Sequence, residues 1–154
     1  MGTEITEEIN LSLFAEDSGD KRESIVNFET ELLKLPQIKL EAKHYFANGL
    51  YARELVMPKD AAVTGKIHIK EHICIISYGD VTVVSNDGTV RLKGPCTFVG
   101  KPGSKRALYM HEETMWTAIH ATDKDTVEEV EATLVTNNYE EYLKLQEARI
   151  CHSG

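Results

Sequence analysis

The stretch TGKIHIKEHICIISYGD, Thr64–Asp80, places His68 and His72 four residues apart at the head of an apolar, β-branched run that closes on Tyr78-Gly79-Asp80. Residues two and four apart face one side of a strand. On an unbroken strand His68, Lys70, His72, Cys74 and Ile76 therefore share a face. Histidine is a common ligand of zinc, iron, nickel and manganese, with carboxylate or water completing such sites. The same pair also reads as two unpaired polar residues near a rim.

The texture around this stretch is β-rich. LYARELVMP, HICIISYGD, VTVVSNDGTVRL, CTFVG, KRALYM and TMWTAIHAT are short runs separated by Gly, Pro, Asn and Asp. Asn86-Asp87-Gly88 predicts a hairpin turn, since Asp and Gly tolerate positive φ. Strands at this spacing point to a sandwich or barrel rather than to βαβ units. Helices flank them. Asp20-Lys-Arg-Glu23 reads as a capping box, Ile25, Phe28, Leu32 and Leu35 follow at helical spacing, and Pro36 stops the run, which predicts a helix near 21–34. Thr126-Val-Glu-Glu129 is a second capping box, and Asn138-Tyr-Glu-Glu141 starts a further short helix. The expected division is an acidic, flexible arm over 1–20, an N-terminal helix over 21–37, a β-barrel over 38–122 and a helical segment over 123–154.

With 154 residues the chain suits one domain with its own core. The net charge of -8 argues against a general nucleic-acid grip, which needs a basic stripe. No apolar run approaches a membrane span, and the start MGTEITEEIN lacks the order of a signal peptide. Cys74, Cys96 and Cys151 are widely spaced, which fits reduced thiols better than a disulfide framework. Cys74 and Cys96 read as small buried hydrophobes.

The β section resembles the cupins, small double-sheet jelly rolls whose mouth holds a metal or a small ligand. With Gly79 as the last glycine of the first cupin motif, His72 falls on the family's glutamate, His68 on its second histidine and Lys66 on its first. The second motif resembles GPCTFVGKPGSKRALYM, with Pro102-Gly103 in the turn, Arg106 at the histidine position and Met110 at the asparagine. The resemblance implies a mainly β, cupin-like double-stranded β-helix (a jelly-roll barrel) with flanking N- and C-terminal α-helices. It also implies a bend near Lys70-Glu71, which leaves His72, Cys74 and Ile76 grouped. HYFANGLYARELVMPKDAAVTGKIHIKEH and KPGSKRALYMHEETMWTAIHATD are similar to cupin-like proteins encoded in tailed-bacteriophage genomes.

On this basis the metal candidates are His68, His72 and His120, the last because WTAIHAT reads as a strand that crosses the same cavity; His111 and His44 are weaker. Arg106 takes the position that points into the cavity in cupins. Its guanidinium needs a partner, either a ligand anion or an internal acid such as Glu54. Tyr109 and Trp116 read as core aromatics or as a wall for a flat ligand, and His111-Glu112-Glu113 as a polar turn between strands. Lys101 and Lys105 read as solvated.

The favoured reading is a phage-type, non-catalytic binding protein with no catalytic residues. It captures a small anionic metabolite or nucleotide-like ligand through Arg106, Tyr109, Trp116 and His72. One alternative is a metal-dependent cupin enzyme built on a divalent Zn, Fe, Mn or Ni ion at His68 and His72. Another is a virion or host-defence-interaction protein with a vestigial pocket. A homo-oligomer is expected, a dimer before a trimer, with contacts through 21–34 and 139–145. No membrane partner is expected, and the expected location is the cytoplasm, that of the host for a phage-encoded chain, or the virion.

Overall fold

The computed structural model describes residues 2–4, 11–15 and 21–153. Ten strands and three α-helices, with one short 3-10 turn at Ser12–Phe14, follow in the order β1 (Gly2–Glu4), α1 (Arg22–Leu32), β2 (Lys43–Ala47), β3 (Leu50–Met57), β4 (Ala61–Thr64), β5 (Ile67–His68), β6 (His72–Ser85), β7 (Gly88–Lys93), β8 (Cys96–Gly100), β9 (Ala107–Ala121), α2 (Val127–Leu134), β10 (Val135–Thr136) and α3 (Tyr139–Ser153) among the described residues.

Two long antiparallel strands organise the fold. β6 and β9 pair with each other from Ile73↔Ile119 to Val84↔Ala107. The His72 end of β6 also pairs with β8, and its far end with β7. Likewise the His120 end of β9 pairs with β3, which carries β2, and its near end pairs with β4, which carries β1. One layer is thus β2-β3-β9-β6-β8 and the other β1-β4-β9-β6-β7, with the long strands passing through both. The chain is mainly β with flanking helices, as the sequence predicts, and its double antiparallel sheet is that of a jelly roll.

The crossing from one layer to the other is made at a bulge. Register slips occur between Ile76 and Val81 of β6, and bulges bend a strand and sharpen its twist. Gly79 sits there at φ +124, and a Cβ on it would lie 2.3 Å from Thr114 Oγ1. Only glycine allows this close strand approach. The sequence shows Tyr78-Gly79-Asp80 as a break, so HICIISYGD and VTVVS read as two strands where there is one. His111-Glu112-Glu113 is corrected in the same way: it lies inside the continuous β9 and not in a turn.

Leu55, Met57, Val63, Cys74, Ile76, Val81, Val83, Met110 and Trp116 form the core between the layers. Ile25, Phe28 and Leu32 of α1 pack on Ala62, Val84 and Ala107 outside it. The helix is Arg22–Leu32, preceded by Lys21 with no side-chain cap; the expected cap Asp20 lies outside the described residues. Thr126 does cap α2, accepting from the Glu129 amide at 3.3 Å, and Asn138 accepts from the Glu141 amide at 3.1 Å. Both caps satisfy free first-turn amides. Where the first twenty residues read as a loose arm, Gly2–Glu4 adds a strand to β4. Backbone pairing there needs no apolar side chains, so composition does not reveal it.

Candidate metal centre and cavity

Alternation along three strands decides what faces the interior. In β9 the even residues Thr114, Trp116, Ala118 and His120 point inward, and in β3 the odd residues Tyr51, Arg53, Leu55 and Met57 do so. In β6 it is His72, Cys74 and Ile76. Register stacks these into layers: Tyr51 beside His120, Arg53 beside Ala118 beside Cys74, and Leu55 beside Trp116 beside Ile76. Histidines occupy the mouth, and the floor is apolar.

The three histidines predicted from sequence meet. Ring centroids are 4.1 Å apart for His68 and His72, 4.7 Å for His72 and His120, and 5.2 Å for His68 and His120. Each offers a nitrogen within 4.8 Å of the others. His72 starts β6 opposite Gly100, and His120 lies near the end of β9 opposite Tyr51. His68 arrives from outside the main sheet on β5, which pairs with β10, while its carbonyl accepts from the Gly103 amide at 2.8 Å. As expected, the chain bends at Lys70-Glu71: both residues are exposed, and His72 is buried beyond them.

The nitrogens are poised as ligands. His72 Nδ1 lies 3.1 Å from the Lys70 carbonyl, which can only accept, so Nδ1 carries the proton and Nε2 keeps its lone pair. His68 Nδ1, His72 Nε2 and His120 Nδ1 are buried with no hydrogen-bond partner. Burial is the first cause that lowers all three pKa values. His68 falls well below the ordinary value, helped by His72, Arg106, His120 and Arg53, and His120 falls to about 4, helped by His72 and Arg53. Neutral imidazole is the form that binds metal. Two nitrogens on one tetrahedral zinc stand about 3.3 Å apart. The rings are near-parallel, 7° to 22° between planes, so their in-plane lone pairs do not converge on one point, and a shared metal requires the rings to turn toward it.

Beside the histidines lies a cavity of about 400 Å³, lined by His68, His120, Arg106, Arg53 and Trp116, by the polar residues Gln37, Thr64, Lys66 and Glu131, and by apolar side chains. That is the lower part of the range for small-molecule pockets. Arg106 reaches in from the start of β9, its Nη1 3.8 Å from Cys74 Sγ and its guanidinium 6.0 Å from the ring centres of both Phe98 and Trp116. The alternative partner Glu54 is corrected by the alternation of β3, which puts it on the opposite face from Arg53 and Leu55. Among the described residues no carboxylate pairs with Arg106. Burial raises the Cys74 thiol, which keeps it protonated in the core.

Other expectations change. Tyr109 does not join the cavity; as an odd residue of β9 it faces outward, where its hydroxyl donates to Asp60 at 3.2 Å and its ring meets Phe14. Lys105 is not solvated: it is 3% exposed and donates to Glu29 at 2.9 Å. His44 shares a 2.7 Å hydrogen bond with Tyr51, and His111 one of 2.7 Å with Thr82, so neither joins the cluster. Arg53 was missed. The alternation that buries Tyr51 and Leu55 was the signal that places it inside.

No protein-family model matches the chain, and neither does any curated protein. Among solved structures it is similar to a cupin-2 domain containing protein from Shewanella frigidimarina, with 13% identity over 66% of this chain and 99% of that one and a TM-score of 0.45. It is also similar to the cupin domain of Schizosaccharomyces pombe Cnp3, with 21% identity, 66% and 79% coverage and a TM-score of 0.47. A putative ethanolamine utilization protein from Salmonella typhimurium gives 10% identity, 56% and 72% coverage and a TM-score of 0.48.

Proposed function

We propose that this is a cupin-like binding protein whose barrel mouth holds one divalent transition-metal ion on His68, His72 and His120, beside a cavity that receives a small anionic molecule. The observation that carries this reading is the set of three buried ring nitrogens without partners. A buried polar atom left unpaired costs about 1–3 kcal/mol, and a shared metal ion removes that cost at all three. An all-imidazole set suits zinc, iron or nickel better than magnesium or calcium. Three protein ligands leave coordination positions for water or a ligand atom.

Arg106 supplies the positive charge that an anion would meet inside the cavity; Arg53 also lines it but is exposed. Capture without catalysis is the favoured form. The carboxylate in the cavity lining, Glu131, is exposed, and the histidines are taken up as ligands. A virion or host-defence role, implied by the phage-type resemblance, would need none of this chemistry. The orphaned nitrogens favour a working pocket over a vestigial one.

Self-association is part of the proposal. The 21–34 region buries Ile25, Phe28 and Leu32 in its own chain but exposes Val26 and Leu33, which with Tyr139, Leu143 and Leu145 of α3 are the apolar candidates in the two segments. Light scattering at tens of micromolar, an order where even modest dimers persist, distinguishes dimer from monomer. The metal reading is tested by elemental analysis of protein purified without chelator, in the wild type and in single His→Ala variants.

A further inference from the structure

We infer that the guest of the cavity is a carboxylate with an apolar body, a medium-chain or arylalkyl acid, rather than a phosphate ester or a nucleotide. This rests on the reading of the cavity as a ligand pocket, but not on the metal. Two observations carry it: the absence of a carboxylate paired with Arg106 among the described residues and the predominance of apolar side chains in the lining.

Arg106 is a half-buried cation whose neighbours are a thiol and two aromatic rings. Taking a charge out of water is compensated only by a well-placed counter-charge. The planar guanidinium matches a carboxylate in a paired geometry. A monoanion neutralises one guanidinium, whereas a phosphate dianion would leave excess negative charge among apolar walls. Arg53 and Lys66, the other cations of the lining, do not remove this difficulty, since both are exposed.

The lining around Arg106 includes Leu55, Met57, Leu108, Trp116, Ile38 and Leu40, which outweigh its neutral polar members Gln37 and Thr64. At a strand rise of about 3.3 Å per residue, the layers of Arg53, Leu55 and Met57 span roughly 13 Å, of which the apolar part from Leu55 to Met57 is about 7 Å. That depth accommodates an acyl chain or a phenyl ring. Sugar hydroxyls or a nucleobase edge would be left unpaired against those hydrocarbon walls.

Trp116 is the only tryptophan and lines the cavity, so its fluorescence reports occupancy directly. Titrations use octanoate, hydrocinnamate, acetate, inorganic phosphate and adenosine monophosphate, on both EDTA-treated and zinc-loaded protein. Octanoate is expected to saturate and to bind at least a hundredfold tighter than acetate, with or without zinc. Arg106→Met should weaken octanoate at least tenfold while octanol binding is kept. Ala118→Met, which fills the space below the head group, should weaken octanoate but not acetate. Thermal melting of both variants checks the fold, and either folded variant suffices. Tighter binding of phosphate or adenosine monophosphate, equal binding of acetate, or octanoate binding indifferent to the folded variants would overturn the inference. Octanoate binding by a protein that takes up no zinc when dialysed against it would sink the metal reading alone. Zinc binding without octanoate binding would sink this inference alone.

Discussion

Gly100 leaves the space that His72 fills. A Cβ at position 100 would lie 2.4 Å from His72 Nε2 and 2.8 Å from Arg106 Nη2. The bare Cα of β8 thus seats both the free nitrogen of the proposed metal centre and the proposed anion-binding guanidinium. The metal and ligand halves of the site share one wall.

Gly100→Ala is accordingly expected to disturb the site more than the fold. The atoms in the way are the ends of two flexible side chains, which can swing aside. Zinc affinity should fall at least tenfold, with a melting temperature within a few degrees of wild type. Isothermal titration and thermal melting test this; unchanged zinc affinity would show that His72 Nε2 is not a ligand.

The metal-free protein should lose stability as pH falls from about 6.5. An unfolded histidine titrates near 6.5, whereas His120 in the fold titrates at about 4 and His68 well below its ordinary value. Between those values the unfolded chain binds more protons, so stability rises with pH through the window and is lost on acidification. For His120 alone the full effect is about 3 kcal/mol. Urea melts of EDTA-treated protein at pH 7, 6, 5 and 4 measure it, and His120→Gln should flatten the slope.

Much of this was legible in the sequence, for reasons that particular residues show. His68 and His72 stood out because metal-capable residues at strand spacing lead an apolar run. His120 followed from a strand aimed at the same cavity. The hairpin at Asn86-Asp87-Gly88 and the cap at Thr126 are local chemistry, and local chemistry is written in neighbouring residues. Long-range consequences were not. Tyr78-Gly79-Asp80 marks a bulge inside one strand, and a bulge and a turn carry the same residues. Tyr109 and Glu54 were assigned to the cavity by chemical type, although strand alternation from Trp116 and Leu55 puts both outside. Lys105 looked solvated because its partner Glu29 is 76 residues away.

Lys105 and Glu29 form a tie between α1 and the β8–β9 turn, strengthened by a Thr64 hydroxyl donated to the same carboxylate. Lys105→Met should destabilise by about 2 kcal/mol, less than a fully buried broken pair because Glu29 remains partly solvated. Although burial alone would raise the Glu29 pKa, the bonds from Thr64 and Lys105 leave it lowered. This contribution is therefore present at neutral pH and is lost as pH falls below the ordinary glutamate value toward the lowered one. Denaturant melts of wild type and variant should converge in that acidic range.

The metal content of the protein, purified without chelator and then dialysed against zinc, tests the central claim most directly. One zinc ion per chain is expected, falling below a tenth in His68→Ala, His72→Ala and His120→Ala alike, while His44→Ala and His111→Ala keep full occupancy. A protein that stays free of zinc, or that holds it equally in all five variants, would contradict a metal centre at the mouth of the barrel.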